Sequence, residues 1–388
     1  MRYSTSLLFL IAIGLLAQPA LTQEKPKTKA PEDEAAKPDE PKGTSETEKL
    51  KGRRVMVVEH GAEIRTREGG VVWRAFLGEL LTVSLANGDW LWIFERQGWM
   101  HSKNIVPHET AIYEMNQRIK KSGRIQNYSL RGIAKLNHKQ YDEAIRDFNE
   151  VIRRNPNDPH IYVNRGNAYR FTGKLQDAIN DYSKAVNLDN KHFLAMYNRA
   201  EVQTELKNYD LAMKDLRAAV VLNDEYADAY NNIGLVYQAM RDYKKAEVEF
   251  SRAVELYPRF VEAYANRAIT NNRLGEYEKA RKDFSQAIIL SPNDTDVLNN
   301  FAWFLATCKE KDYRDSEKAL SMIKIADELT LSKDWNVLDT YGAVQAESGN
   351  FPQAERFAEK ALDVAPSTEQ GRIRRHLLAY KQRRAIRE

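Results

Sequence analysis

Ala144, Ala178, Ala212, Ala246 and Ala280 recur at an unbroken spacing of 34 residues. Four residues after each stands Phe148, Tyr182, Leu216, Phe250 or Phe284, and three further on Val151, Ala185, Ala219, Ala253 and Ala287. Twelve before each alanine sits a small residue: Gly132, Gly166, Ala200, Gly234 and Ala268. Spacing of i, i+4 and i+7 puts the alanine, the ring and the next small residue on one face of a helix. The small residue of the preceding helix then lets two antiparallel helices approach closely, and the large side chain fills their seam. Pro156, Pro258 and Pro292 end three of the second helices. Such a unit cannot bury its apolar face alone, so it must stack on its neighbours, and the product is a solenoid.

The pattern resembles the tetratricopeptide repeat, whose period is 34. Five units stand in register, at 125–158, 159–192, 193–226, 227–260 and 261–294. Two more, 295–334 and 335–368, align once about five residues are inserted around Lys309–Arg314, with Ala319, Ala326, Gly342, Ala354 and Ala361 in the small positions. The passages NNFAWFLATCKEKDYRDSEKAL and LDTYGAVQAESGNFPQAERFAEKAL resemble the end of a group of exported bacterial repeat proteins. Residues 369–388 form a basic capping helix whose Ile373, Leu377, Leu378 and Tyr380 cover the last apolar face. Residues 108–124 hold a helix that links the repeats to what precedes them. The expected fold is mainly α, a right-handed superhelix of about seven helix pairs preceded by a small all-β barrel.

The 388 residues exceed one compact core, which agrees with several units. Residues 1–22 pair Arg2 with an uncharged apolar run, Leu7 to Ala17, and then small residues, the pattern of a cleavable secretory signal. The other reading is a retained anchor, although eleven helical residues reach only about half of a ~30 Å hydrocarbon core. Residues 23–50 are rich in Pro, Lys and Glu and poor in large hydrophobes, which predicts a disordered tether.

Residues 51–107 change texture. Val55, Val57 and Val58, then Leu81, Val83 and Leu85, then Trp90, Trp92 and Phe94 carry strand signals, with Asn87–Gly88–Asp89 as a hairpin turn. Several short strands in so few residues suggest a small barrel. The string GDWLWIFERQGWMHSKNIVP resembles the second half of a bacterial-type Src homology 3 domain. That resemblance implies a one-turn helix before the last strand and a binding module for peptide, cell wall or a neighbouring domain. Trp90, Trp92 and Trp99 are its candidate binding face. Strand alternation puts Trp90 and Trp92 on one side, which fits a core as well as a surface.

Repetition also exposes polar ladders. The sixth position of successive units carries Asn164, Asn198, Asn232, Asn266 and Asn300. An amide can donate to and accept from the backbone of an extended peptide whatever its sequence, so these residues are candidates for peptide binding on the inner surface. The same amides serve equally to bond one repeat to the next. Arg131, Arg165, Arg199 and Arg267 at the seventh position accompany Asp147, Asp181, Asp215 and Asp283 at the twenty-third, while the fourth unit has Ile233 with Glu249. Joint presence predicts a structural ion pair between the two helices of a unit. The carboxylate clamp of some tetratricopeptide proteins needs a lysine at position five, which here holds Ser129, Val163, Tyr197, Asn231, Ala265, Asn299 and Asp339.

Catalytic chemistry finds no support. The seven histidines show no metal spacing, and the lone Cys308 excludes an internal disulfide and reads as a small buried residue. Gly166 to Lys174 resembles a phosphate loop but has the wrong spacing and lies inside repeat helices. A formal charge of +4 does not point to nucleic acid. No catalytic residue, cofactor or metal is expected. The sequence predicts a non-enzymatic, periplasmic or secreted scaffold that binds a protein or peptide. The alternatives are a peptidoglycan-binding module acting through the barrel, or an accessory subunit of an envelope complex.

Overall fold

The structure, a computed structural model, describes residues 45–66 and 69–388. The expected signal and most of the expected tether lie outside the described residues. The chain divides after Glu225 into two compact units.

Among the described residues, the first unit begins with a short helix, α1 (Ser45–Glu48), and seven strands: β1 (Arg54–Val57), β2 (Ala62–Arg65), β3 (Val71–Ala75), β4 (Leu80–Asn87), β5 (Trp90–Ile93), β6 (Gly98–His101) and β7 (Ile105–Pro107). They pair in the order β3-β2-β6-β5-β4-β1-β7, every pairing antiparallel. The hairpin read at Asn87–Asp89 joins β4 to β5, with Asn87 opposite Trp90 and Gly88 at φ +60°. A 3-10 turn at Ser102–Asn104 precedes β7, the order implied for the second half of the β region. The β region also begins earlier than residue 51. Thr47 of α1 is buried, its hydroxyl donates to the carbonyl of Gly88 at 2.8 Å, and Leu50 packs on the sheet's core.

That core holds Val55, Val57, Ile64, Leu81, Val83, Leu91, Ile93 and Met100. The other face of β1 is covered as well. Met56 and Val58, with Val106, pack against Ala111 and Met115 of α2 (Ala111–Ser122) and Leu130, Ile133 and Ala134 of α3 (Ile125–Asn137). Burial on both faces explains why this segment reads as a continuous apolar run rather than an alternation. The β4 approach is equally close: a Cβ added at Gly78, whose φ is +83°, would lie 2.8 Å from Ile133. His108 stacks on His138 with ring centroids 4.3 Å apart. Sheet and first repeat therefore share one core.

The repeats follow as helix pairs: α3 with α4 (Tyr141–Arg154), α5 (Pro159–Phe171) with α6 (Leu175–Leu188), and α7 (Phe193–Glu205) with α8 (Tyr209–Leu222). The second unit continues with α9 (Ala227–Ala239) and α10 (Tyr243–Leu256), α11 (Val261–Leu274) and α12 (Tyr277–Leu290), α13 (Thr295–Thr307) and α14 (Ser316–Leu329), and α15 (Trp335–Glu347) and α16 (Phe351–Val364). It ends with α17 (Ser367–Lys381). The insertion expected around Lys309–Arg314 is a loop with a 3-10 turn at Lys311–Tyr313.

The 34-residue pattern acts through contact distances. A Cβ added at Gly132, Gly166 or Gly234 would lie 2.6 Å from the ring of Phe148, Tyr182 or Phe250 in the partner helix. The third repeat pairs Ala200 with the smaller Leu216, both fully buried. Small and large residues thus trade volume across each seam, as close packing demands.

Candidate binding surfaces

The charged ladder is internal. Arg131 donates to Asp147 at 2.9 and 2.5 Å, Arg165 to Asp181 at 2.7 and 2.6 Å, Arg199 to Asp215 at 2.6 and 2.7 Å, and Arg267 to Asp283 at 2.9 and 2.6 Å. Each is a two-pronged pair of the kind the guanidinium fork favours. A further nitrogen reaches back to the preceding helix: to Asn116 of α2, Asn149 of α4, Ser183 of α6 and Ser251 of α10. One arginine therefore ties three helices. Helix α2 takes the place of a preceding second helix, which explains why the array can begin there.

The sixth-position asparagines differ among themselves. Asn164, Asn198 and Asn266 are buried, whereas Asn232 and Asn300 are half-buried. The amide of Asn198 donates to Asn167 Oδ1 at 3.1 Å, an oxygen that also accepts from the Tyr182 hydroxyl at 2.7 Å. The amide of Asn266 donates to Asn231 at 3.0 Å. At two positions the donor is thus spent between repeats. The carbonyl oxygens of Asn164 and Asn266 have no partner within the described residues.

Trp90, Trp92 and Trp99 fall outside the β core. Leu91, Ile93 and Met100 point inward, so alternation turns Trp90, Trp92 and Trp99 outward. Trp92 and Trp99 face each other across β5 and β6 with ring centroids 5.3 Å apart, and Trp90 stands 5.3 Å from His101. Trp90, Leu85 and Phe94 are 40%, 47% and 62% exposed. A buried pair that composition does not signal lies nearby. Glu79 accepts from Arg96 at 2.7 Å and from the Phe76 amide at 2.9 Å, while the guanidinium lies 4.1 Å over Trp73.

Two histidines expected to be scattered come together. His160 Nδ1 and His192 Nε2 are 3.2 Å apart. His192 also caps α7 by accepting from the Ala195 amide. Burial, reinforced by the charge of His160, pulls His192 down to about 4. Their separation of 32 residues, near the repeat length, was the signal for this neighbourhood. Cys308 is buried and unpaired, and burial raises its pKa; it closes α13 as a packing residue.

Part of the basic terminal segment is also internal. Asp339, fully buried on α15, meets His376 Nδ1 at 2.9 Å and Arg372 at 3.4 Å, both on α17. Arg387 pairs with Glu347 at 2.6 Å. Helix α17 stops at Lys381, short of the expected 388, and the residues after it run without regular secondary structure.

Family profiles described as tetratricopeptide repeat match residues 128–158, 148–180, 194–226, 227–260 and 261–294, and one described as TPR repeat matches 166–207. Residues 128–294 are tetratricopeptide repeats. Among curated proteins, the chain is 33% identical over 79 residues to the Hsp70-Hsp90 organizing protein of Triticum aestivum, covering 20% of this chain and 14% of that protein. It is 38% identical over 71 residues to the Hsp70-Hsp90 organizing protein 2 of Arabidopsis thaliana, covering 18% and 12%. The matched stretch is therefore a small part of each relative. A tetratricopeptide repeat protein from Parabacteroides merdae superposes with a TM-score of 0.50 at 21% identity, over 69% of this chain and 99% of that one. The APC/C hetero-tetramer Cut9–Hcn1 gives 0.53 at 19% identity, over 61% and 47%. These two establish the tetratricopeptide fold and nothing narrower.

Proposed function

We propose that this chain is a non-enzymatic scaffold that acts outside the cytoplasm and binds a protein or extended peptide on the inner surfaces of its tetratricopeptide repeats. The run of in-register repeats carries the reading, because stacked helix pairs present long surfaces suited to extended ligands. The Arg–Asp pairs are consumed in holding helices together, which argues against a series of working carboxylates. The relatives bear the name organizing protein, in keeping with a role in bringing proteins together. Their named partners are not carried over, since position five lacks the lysine of the clamp. The location rests on the signal pattern of residues 1–22. In the described residues, no helix is long and apolar enough to cross a membrane.

The test is crosslinking and pull-down from a cell-envelope extract, comparing wild type with Asn198→Ala/Asn232→Ala/Asn266→Ala. Loss of a captured partner from a variant with wild-type melting supports the reading. An unchanged partner list returns the asparagines to a structural role.

The outward aromatics of β5 and β6 favour a second reading, in which the β region is a Src homology 3-like module that binds peptidoglycan. Exposed rings beside Leu85 are suited to stacking on sugar faces. Full-length protein that fails to sediment with purified cell wall, or that sediments equally well as Trp90→Ala, would sink it.

A further inference from the structure

The chain doubles back beyond α17. The Arg383 amide donates to the carbonyl of Tyr380 at 2.8 Å and the Arg384 amide to that of Ala379 at 2.9 Å, the paired bonds of a Schellman turn. Arg383 occupies the left-handed position at φ +53°, where glycine is usual. The following residues then leave the helix and lie against the ends of three repeat helices.

Four kinds of contact fix them. The Glu388 amide donates to the carbonyl of Thr307 at 2.8 Å. Thr307 is the last residue of α13, so this is one of the carbonyls that a helix end leaves without an internal partner. Ile386 packs against the apolar cluster of Phe304, Ala306 and Val344 and against that of Leu338 and Tyr380. Arg387 meets Glu347 of α15 at 2.6 Å, a carboxylate that Arg314 holds from the other side at 2.9 Å. The Glu388 carboxylate lies 3.6 Å from Arg273 of α11. A backbone bond, an apolar seat, an acid for a cation and a cation for an acid are the elements by which a surface reads an extended segment.

We propose that residues 384–388 are an internal occupant of a peptide site built by α11, α13 and α15. Displaced, they leave that site to an extended segment of a partner carrying an aliphatic residue, then arginine, then an acid. The inference rests on the scaffold reading above and gives one part of that scaffold a ligand chemistry and a resting, self-blocked state. A short tether holds its occupant at an effective concentration on the order of millimolar, so a free competitor meets a nearly filled site.

The experiment uses the full chain and a fluorescein-labelled peptide with the sequence of residues 382–388, followed by fluorescence anisotropy. The variant Ile386→Asp/Arg387→Glu releases the tail and is expected to bind the peptide at least about tenfold more tightly than wild type does. Arg387→Glu alone, a milder surface change, is expected to move affinity in the same direction. Adding Glu347→Lys to the released variant removes the acid that receives arginine and is expected to abolish binding. Melting curves confirm that each variant is folded. Equal affinity of wild type and released variants overturns the proposal, as does a folded, released chain that ignores the peptide. If that chain still captures the wild-type set of envelope partners, the site assignment falls and the scaffold reading stands.

Discussion

Gly234 stands where the ring of Phe250 closes on α9. An added Cβ would lie 2.6, 2.7 and 2.8 Å from three ring carbons, so Gly234→Ala forces either the ring or the helix to move. Overpacking of this kind costs about 1–3 kcal/mol. Alanine in place of glycine inside a helix returns up to about 1 kcal/mol. The net loss should be about 1–2 kcal/mol. Phe250→Leu alone gives up part of a fully buried ring and should cost about 1 kcal/mol, well below the cost of truncation to alanine. Together, the two changes reproduce the combination that the third repeat already uses, Ala200 against Leu216. The double variant should therefore be no less stable than Phe250→Leu alone, a coupling of about 1–2 kcal/mol. The fourth repeat is the place to test this, because the ring of Tyr182 in the second also holds a hydrogen bond to Asn167. The fifth repeat tolerates Ala268 with Phe284, but there the ring stacks on Phe301 at 5.2 Å. Hydrogen exchange at the amides of α9 and α10 reads the local stability that a single global transition would average. Additive costs of the two substitutions would refute the seam-volume argument.

Two further predictions concern pH. His192 is held at about 4, against 6.5 for a free imidazole, so below pH 6.5 the unfolded chain takes up a proton that the fold refuses. Stability should be level above pH 6.5 and fall by up to about 3 kcal/mol toward pH 4; His192→Asn keeps a capping oxygen and should flatten that slope in urea titrations, and an unchanged slope would place its origin elsewhere. Asp296 moves the other way, raised to about 6 by burial and then by Asp294, Asp334 and Glu262. The fold keeps its proton where the unfolded chain has lost it, so stability present at low pH is lost as pH rises through about 6. Asp296→Asn should therefore add about 1–2 kcal/mol at pH 7, less than the full linkage because the group is only partly buried; no gain at pH 7 would contradict the assignment.

The helical part of the fold was legible because one physical requirement, close approach of two helices, repeats its mark at fixed intervals. Gly132, Ala144 and Phe148 declare a seam, and the next repeat declares it again. The Arg–Asp ladder was legible for the same reason, since the residues appear and disappear together. What the sequence could not show is the third bond of each arginine, because its acceptor changes between asparagine and serine from repeat to repeat. The tryptophans were ambiguous, since alternation groups Trp90 with Trp92 without saying which face is the core. Leu91, Ile93 and Met100 decide it once the strands are paired. Contacts lacking a period were invisible. Glu79 with Arg96, and Arg387 with Glu347, join residues that only the completed fold brings together.

The core shared by the sheet and the first repeat has a consequence for synthesis. A chain that emerges amino end first into the compartment where it folds completes β7 before α2 and α3 are available, so the face formed by Met56, Val58 and Val106 is first presented bare to solvent. Until α3 arrives, the sheet carries an adhesive patch. A chain arrested or cut between Pro107 and Ile125 would retain it, and holdase chaperones, which bind transiently exposed apolar surface, would recognise that patch. The β region is thus a foundation that sets only when the first storey is placed on it.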